Sequence, residues 1–226
     1  MFATSVYRSA DQINQAMGRV YFHMALAIVT SMLVSMWVGT NRHLMEFFFT
    51  GAMKWVVIFA PLVAVIGFTF AIEKLSRTQA ITALHGFAAL MGLSFASIFV
   101  IYTMGSITTA FMGGAVLFSV MSFYGYFTKK DLSGLGSMLF VGLIAIIIAS
   151  IINIFIGSTV MQMVISAIAI LIFLGLTAYD TQQIREMVSI DNEKGNVEIA
   201  GALTLYLDFI NLFLNLLQLF GVKNDD

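Results

Sequence analysis

"LYLDFINLFLNLLQLF", Leu205 to Phe220, is a nearly continuous apolar run interrupted by one aspartate and a string of amides. A bilayer-spanning helix needs about 20 mostly apolar residues, and extending the run back to Ile199 supplies them. Placing a carboxylate deep in such a helix costs about 3 kcal/mol on insertion scales. The acid is therefore a functional-site hypothesis, provided that the segment lies in a membrane.

Composition places it there. The 226 residues are 60% hydrophobic and 10% charged, with a mean hydropathy of +0.95, whereas a soluble domain carries about 25% charged residues. A net charge of -1 argues against nucleic acid as a partner, because phosphate must be met by a basic patch. With no cysteine, disulfides, thiolate metal sites and thiol redox chemistry are excluded. The opening "MFATSVYRSADQINQAMGRVYF" lacks a short apolar core followed by a small-residue cleavage site. Residues 1–16 thus read as a cytosolic leader that stays on the protein.

Seven apolar stretches recur between short polar breaks: Met17–Val38, Trp55–Ile72, Ile81–Met104, Ile107–Phe127, Ser137–Ile156, Met163–Tyr179 and Ile199–Phe220. The expected fold is an all-α integral membrane domain over residues 17–221, with a short polar tail at 222–226. Little more than "GS" separates the third and fourth stretches, and "GSTVMQ" the fifth and sixth, so both pairs read as tight antiparallel hairpins. With the N-terminus in the cytosol, Arg8, Arg19, Lys74, Arg77, Lys129, Lys130, Arg185 and Lys194 fall inside. Only Arg42, Lys54 and Lys223 then fall outside, which is the asymmetry of cytoplasmic loops; the C-terminus is expected outside. Pro61, the single proline, lies within the second stretch, either as a packing kink or as a hinge.

Thr204, Asp208, Asn211, Asn215 and Gln218 recur at helical spacing and form one polar stripe. Such amides hydrogen-bond across membrane helix interfaces for about 1 kcal/mol each; the same stripe also suits the wall of a water-accessible path. Interhelical bonding does not require the carboxylate. Asp180, in "LTAYDTQQI", closes the sixth stretch on the same side from which the seventh starts. Asp208 follows about 13 Å into its helix at 1.5 Å per residue, so the two acids can converge, although Asp180 read alone is equally a helix-end residue. Two close carboxylates titrate as a coupled unit, and such a pair is a pH sensor or a cation ligand. His23 and His85 read as hydrogen-bonded core or interfacial groups, and the histidine spacing does not suit zinc. "FTKKDLSGLG" (Phe127 to Gly136) reads as a basic anchoring turn, and "SIDNEKGNVE" (Ser189 to Glu198) as a solvated connector without an EF-hand pattern.

"LYLDFINLFLNLL" at Leu205 to Leu217 is the most specific of several stretches that resemble the Bax inhibitor-1 family in its bacterial form. "AYDTQQI" at Ala178 to Ile184, "TKKDL" at Thr128 to Leu132 and "NIF" at Asn153 to Phe155 occur in the family's order. The resemblance implies seven helices, six surrounding a central C-terminal one, in the bacterial inner membrane. It implies a pH-sensitive leak of Ca2+, with Asp180 and Asp208 as proton sensor and weak Ca2+ ligands, and no cofactor. It further implies a basic latch on the acid pair, at Lys74 by position. The family's best-described latch is an arginine, so Arg77, about one turn on, is the second candidate.

The expected partners are Ca2+, protons and the lipid bilayer, with the chain acting as a monomer. A role in membrane-protein quality control, beside a membrane protease or other membrane proteins, is the alternative that the resemblance leaves. An intramembrane aspartyl protease matches "YD" at Tyr179 and Asp180, but the bulky "LYL" before Asp208 lacks the glycines that let a substrate strand approach. A proton-coupled transporter would show inverted repeats and broken helices. Neither is evident in the chain; with the protease pattern only half met, it reads as a non-enzyme.

Overall fold

The computed structural model describes residues 8–72, 74–190 and 196–224. These form helices α1 (Ala10–Gly39), α2 (Arg42–Phe49), α3 (Met53–Ala71), α4 (Arg77–Phe95), α5 (Ile98–Ile101), α6 (Met104–Phe127), α7 (Ser133–Ile156), α8 (Thr159–Ser189) and α9 (Asn196–Phe220), with no strand among the described residues. Seven segments are long and apolar enough to cross a membrane: α1, α3, α4 continued through α5, α6, α7, α8 and α9. They coincide with the seven expected stretches. Local chemistry starts and stops them. Ser9 and Ser76 each close a capping box, with Gln12 and Gln79, at the start of α1 and α4. Gly157, at φ 68°, ends α7 in the left-handed conformation that glycine adopts without penalty.

The boundaries differ from the sequence reading where polar residues continue a helix beyond its apolar part. α1 begins at Ala10 and not at Met17, and α8 runs to Ser189 rather than stopping near Tyr179. Ile184 and Val188, both 1% exposed, show why: the end of α8 is amphipathic and keeps a buried face. Between the third and fourth spans the break falls at Tyr102, which adopts extended backbone, while Gly105 and Ser106 are already inside α6. α2, unanticipated because it is too short to span, is capped by Asn41 and carries an exposed Arg42–Glu46 ion pair of 2.8 Å.

The chain divides into two compact units, Met1–Thr103 with Glu186–Tyr206 and Lys223–Asp226, and Met104–Arg185 with Leu207–Val222. In the first, α1 and α4 run parallel, as helices separated by one intervening crossing must. Ser31 Oγ donates to the Ala88 carbonyl (2.8 Å) and meets the Tyr206 hydroxyl at 2.6 Å, joining α1, α4 and α9 at one level. Gly92 lies so close to the Ser31 backbone that a Cβ would collide with its carbonyl oxygen. Asn196 ties the start of α9 to the Ile72 and Leu75 carbonyls, both at 2.7 Å.

In the second unit, Asn153 builds the α7–α8 hairpin, donating to the Ser158 carbonyl and to Gln162 Oε1, both at 3.1 Å. The basic turn is held from α8: Gln182 accepts from the Leu132 N–H and donates to the Lys130 carbonyl, both at 2.9 Å. Asp131 in this turn bonds Ser133 through side chain and backbone, which holds its carboxyl below the usual aspartate range. α7 carries little internal burial, 6% of its apolar window against 67% for α9. Phe155, 86% exposed, and Ile154, 78%, are then lipid-facing.

Candidate ion site in the second unit

Asp180 on α8 and Asp208 on α9 are brought together as neighbouring side chains. Asp208 is 5% exposed, and its Oδ2 is buried without a hydrogen-bond partner. An orphaned buried carboxylate oxygen is costly and calls for an explanation. Asp180 is half-buried and lies well inside α8, nine residues before its end. The helix-end alternative for Asp180 is therefore removed.

Close packing fixes the position of Asp180. A Cβ at Gly125 on α6 would strike the Ala178 carbonyl, and one at Gly136 on α7 would strike the Tyr179 ring. Only glycine lets these helices approach the α8 turn that carries the acid. Thr181 beside it meets Ser122 of α6 at 3.0 Å, and both are buried. On α9, Phe209 stacks edge-on against Phe111 and Phe118, at 5.3 and 5.8 Å between ring centres, which orients the turn carrying Asp208.

Of the polar stripe, Thr204 bonds back to the Ala200 carbonyl, Asn211 to Leu207 and Asn215 to Asn211, each on its own helix. Gln218 reaches α8, accepting from Ser166 Oγ at 2.9 Å. The side chains of Asn211 and Asn215 thus bond within α9 itself, while Gln218 bridges to α8. Arg77 is engaged by Glu198 at 2.9 Å; Lys74 is exposed in the connector between α3 and α4. Among the described residues, no cluster of three or more acids, histidines and cysteines gathers around a metal position.

Residues 13–225 match the family described as inhibitor of apoptosis-promoting Bax1. The chain belongs to the Bax inhibitor-1 family. It is 41% identical over 223 residues to the inner membrane protein YbhL of Escherichia coli strain K12, covering 96% of this chain and 95% of that one. It is 35% identical over 226 residues to a Rickettsia prowazekii protein, at 98% and 96% coverage. A membrane protein of Streptococcus pyogenes serotype M3 is 36% identical over 234 residues, at 97% and 98% coverage.

This Bax inhibitor-1 protein carries a second acidic centre that the sequence reading placed in a solvated connector. Glu198 is 2% exposed. Arg19 grips it with Nε at 2.8 Å and Nη2 at 2.6 Å, Arg77 adds Nη2 at 2.9 Å, and Arg8 lies at 4.0 Å. It also sits in the first turn of α9, where a negative charge complements the helix dipole. Residues 191–195 of the same connector lie outside the described residues. The signal that could have found Glu198 is that Ile199 already belongs to the helix, so an acid one residue earlier shares its first turn. His85 bonds Thr30 Oγ1 through Nδ1 at 2.9 Å, a hydrogen-bonded interior histidine as expected. His23 Nδ1 is buried without a partner.

Proposed function

We propose that this membrane protein is a pH-sensitive calcium leak path, acting in the bacterial inner membrane like the inner membrane relative it resembles. The observation that carries the reading is the pairing of Asp180 with Asp208 as neighbouring acids, with a buried Oδ2 on Asp208 that has no hydrogen-bond partner. Ca2+ takes six to eight oxygen ligands. Two carboxylates offer at most four, leaving water and backbone carbonyls to complete the shell. A site this sparse binds weakly enough to release its ion, as conduction demands. A proton taken up by the pair removes ligand charge, which couples pH to the ion site. Thr204, Asn211, Asn215 and Gln218 then line the route along α9.

The test is purified protein in liposomes loaded with a Ca2+ dye, read at several pH values. Flux that varies with pH is expected; no protein-dependent flux, or flux indifferent to pH, refutes the reading.

Lys74 takes the latch role in this scheme, since Arg77 is bonded to Glu198. Lys74→Ala is expected to raise flux at the pH where the wild type conducts least, and Lys74→Arg to lower it, because a planar fork binds carboxylates more firmly than a point charge. A lysine that merely anchors the connector leaves flux unchanged in both variants. For orientation, reporter fusions after Gly221 are expected outside and fusions within Thr128 to Leu132 inside. A cytosolic C-terminus would contradict a full crossing by α9.

A further inference from the structure

We infer that Arg19, in the N-terminal third of α1, and Arg77, at the start of α4, in the first unit, form a binding site for the phosphate headgroup of an anionic phospholipid. One acyl chain of that lipid lies along α1. The inference does not depend on the calcium reading.

Charge comes first. Among the described residues, the two guanidinium groups of Arg19 and Arg77 share the one carboxylate of Glu198. Arg77 is the first residue of α4, and Glu198 lies in the first turn of α9, so two helix N-termini add positive potential. Glu198 takes Nε and Nη2 of Arg19 and Nη2 of Arg77. Nη1 of Arg19, with Nε and Nη1 of Arg77, is left to serve another acceptor. The carboxylate is 3% exposed, whereas the two arginine side chains are 44% and 43% exposed. The acid is inside, and the guanidinium edges face outward.

The apolar half of the ligand is matched as well. Phe22, Leu26, Val29 and Leu33 are all exposed, and they follow Arg19 at three- and four-residue steps on one helix face. In a chain that spans the bilayer this stripe meets acyl chains, and Arg19 stands at its polar end. Guanidinium groups there meet headgroup phosphate, for which their planar fork is suited. A free phosphate ion would use the arginines and ignore the stripe. A phospholipid uses both.

The experiment is electron paramagnetic resonance of spin-labelled phosphatidylglycerol and phosphatidylcholine around the protein in nanodiscs. The wild type is expected to restrict phosphatidylglycerol preferentially. Arg19→Gln and Arg77→Gln are each expected to lower that preference by about fivefold, the worth of one cation at a membrane surface. Arg19→Lys and Arg77→Lys, which keep the charge but not the planar fork, are expected to lose less of it than the Gln variants. Loss equal in the Lys and Gln variants would overturn the proposal, by assigning the effect to the fork on Glu198, and so would an equal loss in Lys130→Gln, the mark of diffuse attraction. Displacement of the labelled lipid by millimolar inorganic phosphate would overturn it in favour of a free anion. Should a Gln variant fail to fold, the wild type still decides: a photoactivatable phosphatidylglycerol is expected to label α1 between residues 19 and 33, and labelling confined to other helices refutes the site.

Discussion

Asp208→Asn is expected to flatten the pH dependence of Ca2+ flux while leaving the protein folded. Asparagine has nearly the shape of aspartate, but it cannot titrate. A single titrating unit changes its populations by up to about tenfold per pH unit, so liposome flux measured over two pH units separates a flat response from a wild-type one. Asp180→Asn is expected to do the same, and the double variant to add little, because the neighbouring acids act as one unit. Flux from Asp208→Asn that still follows pH as in the wild type would place the sensor elsewhere. Retained thermal stability is part of the expectation.

Glu198→Ala is the opposite case, a large loss of stability. Removing one partner of a fully buried ion pair costs about 3–5 kcal/mol, whereas exposed pairs contribute about 0–1 kcal/mol. This cluster lies between those limits: the carboxylate is 3% exposed, but Arg19 and Arg77, each more than two-fifths exposed, regain water when it is gone. The loss of the favourable charge in the first turn of α9 adds to it. A destabilisation of about 2 kcal/mol is expected, read as a lowered unfolding midpoint in mixed detergent. The cycle with Arg19→Ala is expected to be non-additive, the double variant losing less than the two singles together. Additive losses would mean that the contact of 2.6 Å contributes nothing measurable.

The seven helices of spanning length were legible in the chain because lipid imposes one rule on every residue of a span: apolar side chains outward and all backbone bonds made within the helix. That rule needs no partner, and so it leaves its mark in composition and length alone. The ends of the helices were less legible. α8 continues to Ser189 because Ile184 and Val188 find a buried face beyond the apolar stretch, and burial against a neighbour is not a property of the segment itself.

The same distinction runs through the charged residues. Asp208 was marked by its sequence, since an acid within a run such as "LYLDFINLFLNLL" has a cost on any neighbour's account. Glu198 was not, because an acid at the edge of an apolar run is unremarkable until three arginines distant in the chain are seen around it. The glycines that seat Asp180, Gly125 against Ala178 and Gly136 against Tyr179, are likewise ordinary membrane-helix glycines by sequence. The chain by itself determined what must be solvated by lipid, which depends on each residue's own transfer free energy. Only the tertiary structure decided which charges are solvated by other charges, because that energy depends on distances between residues far apart in sequence.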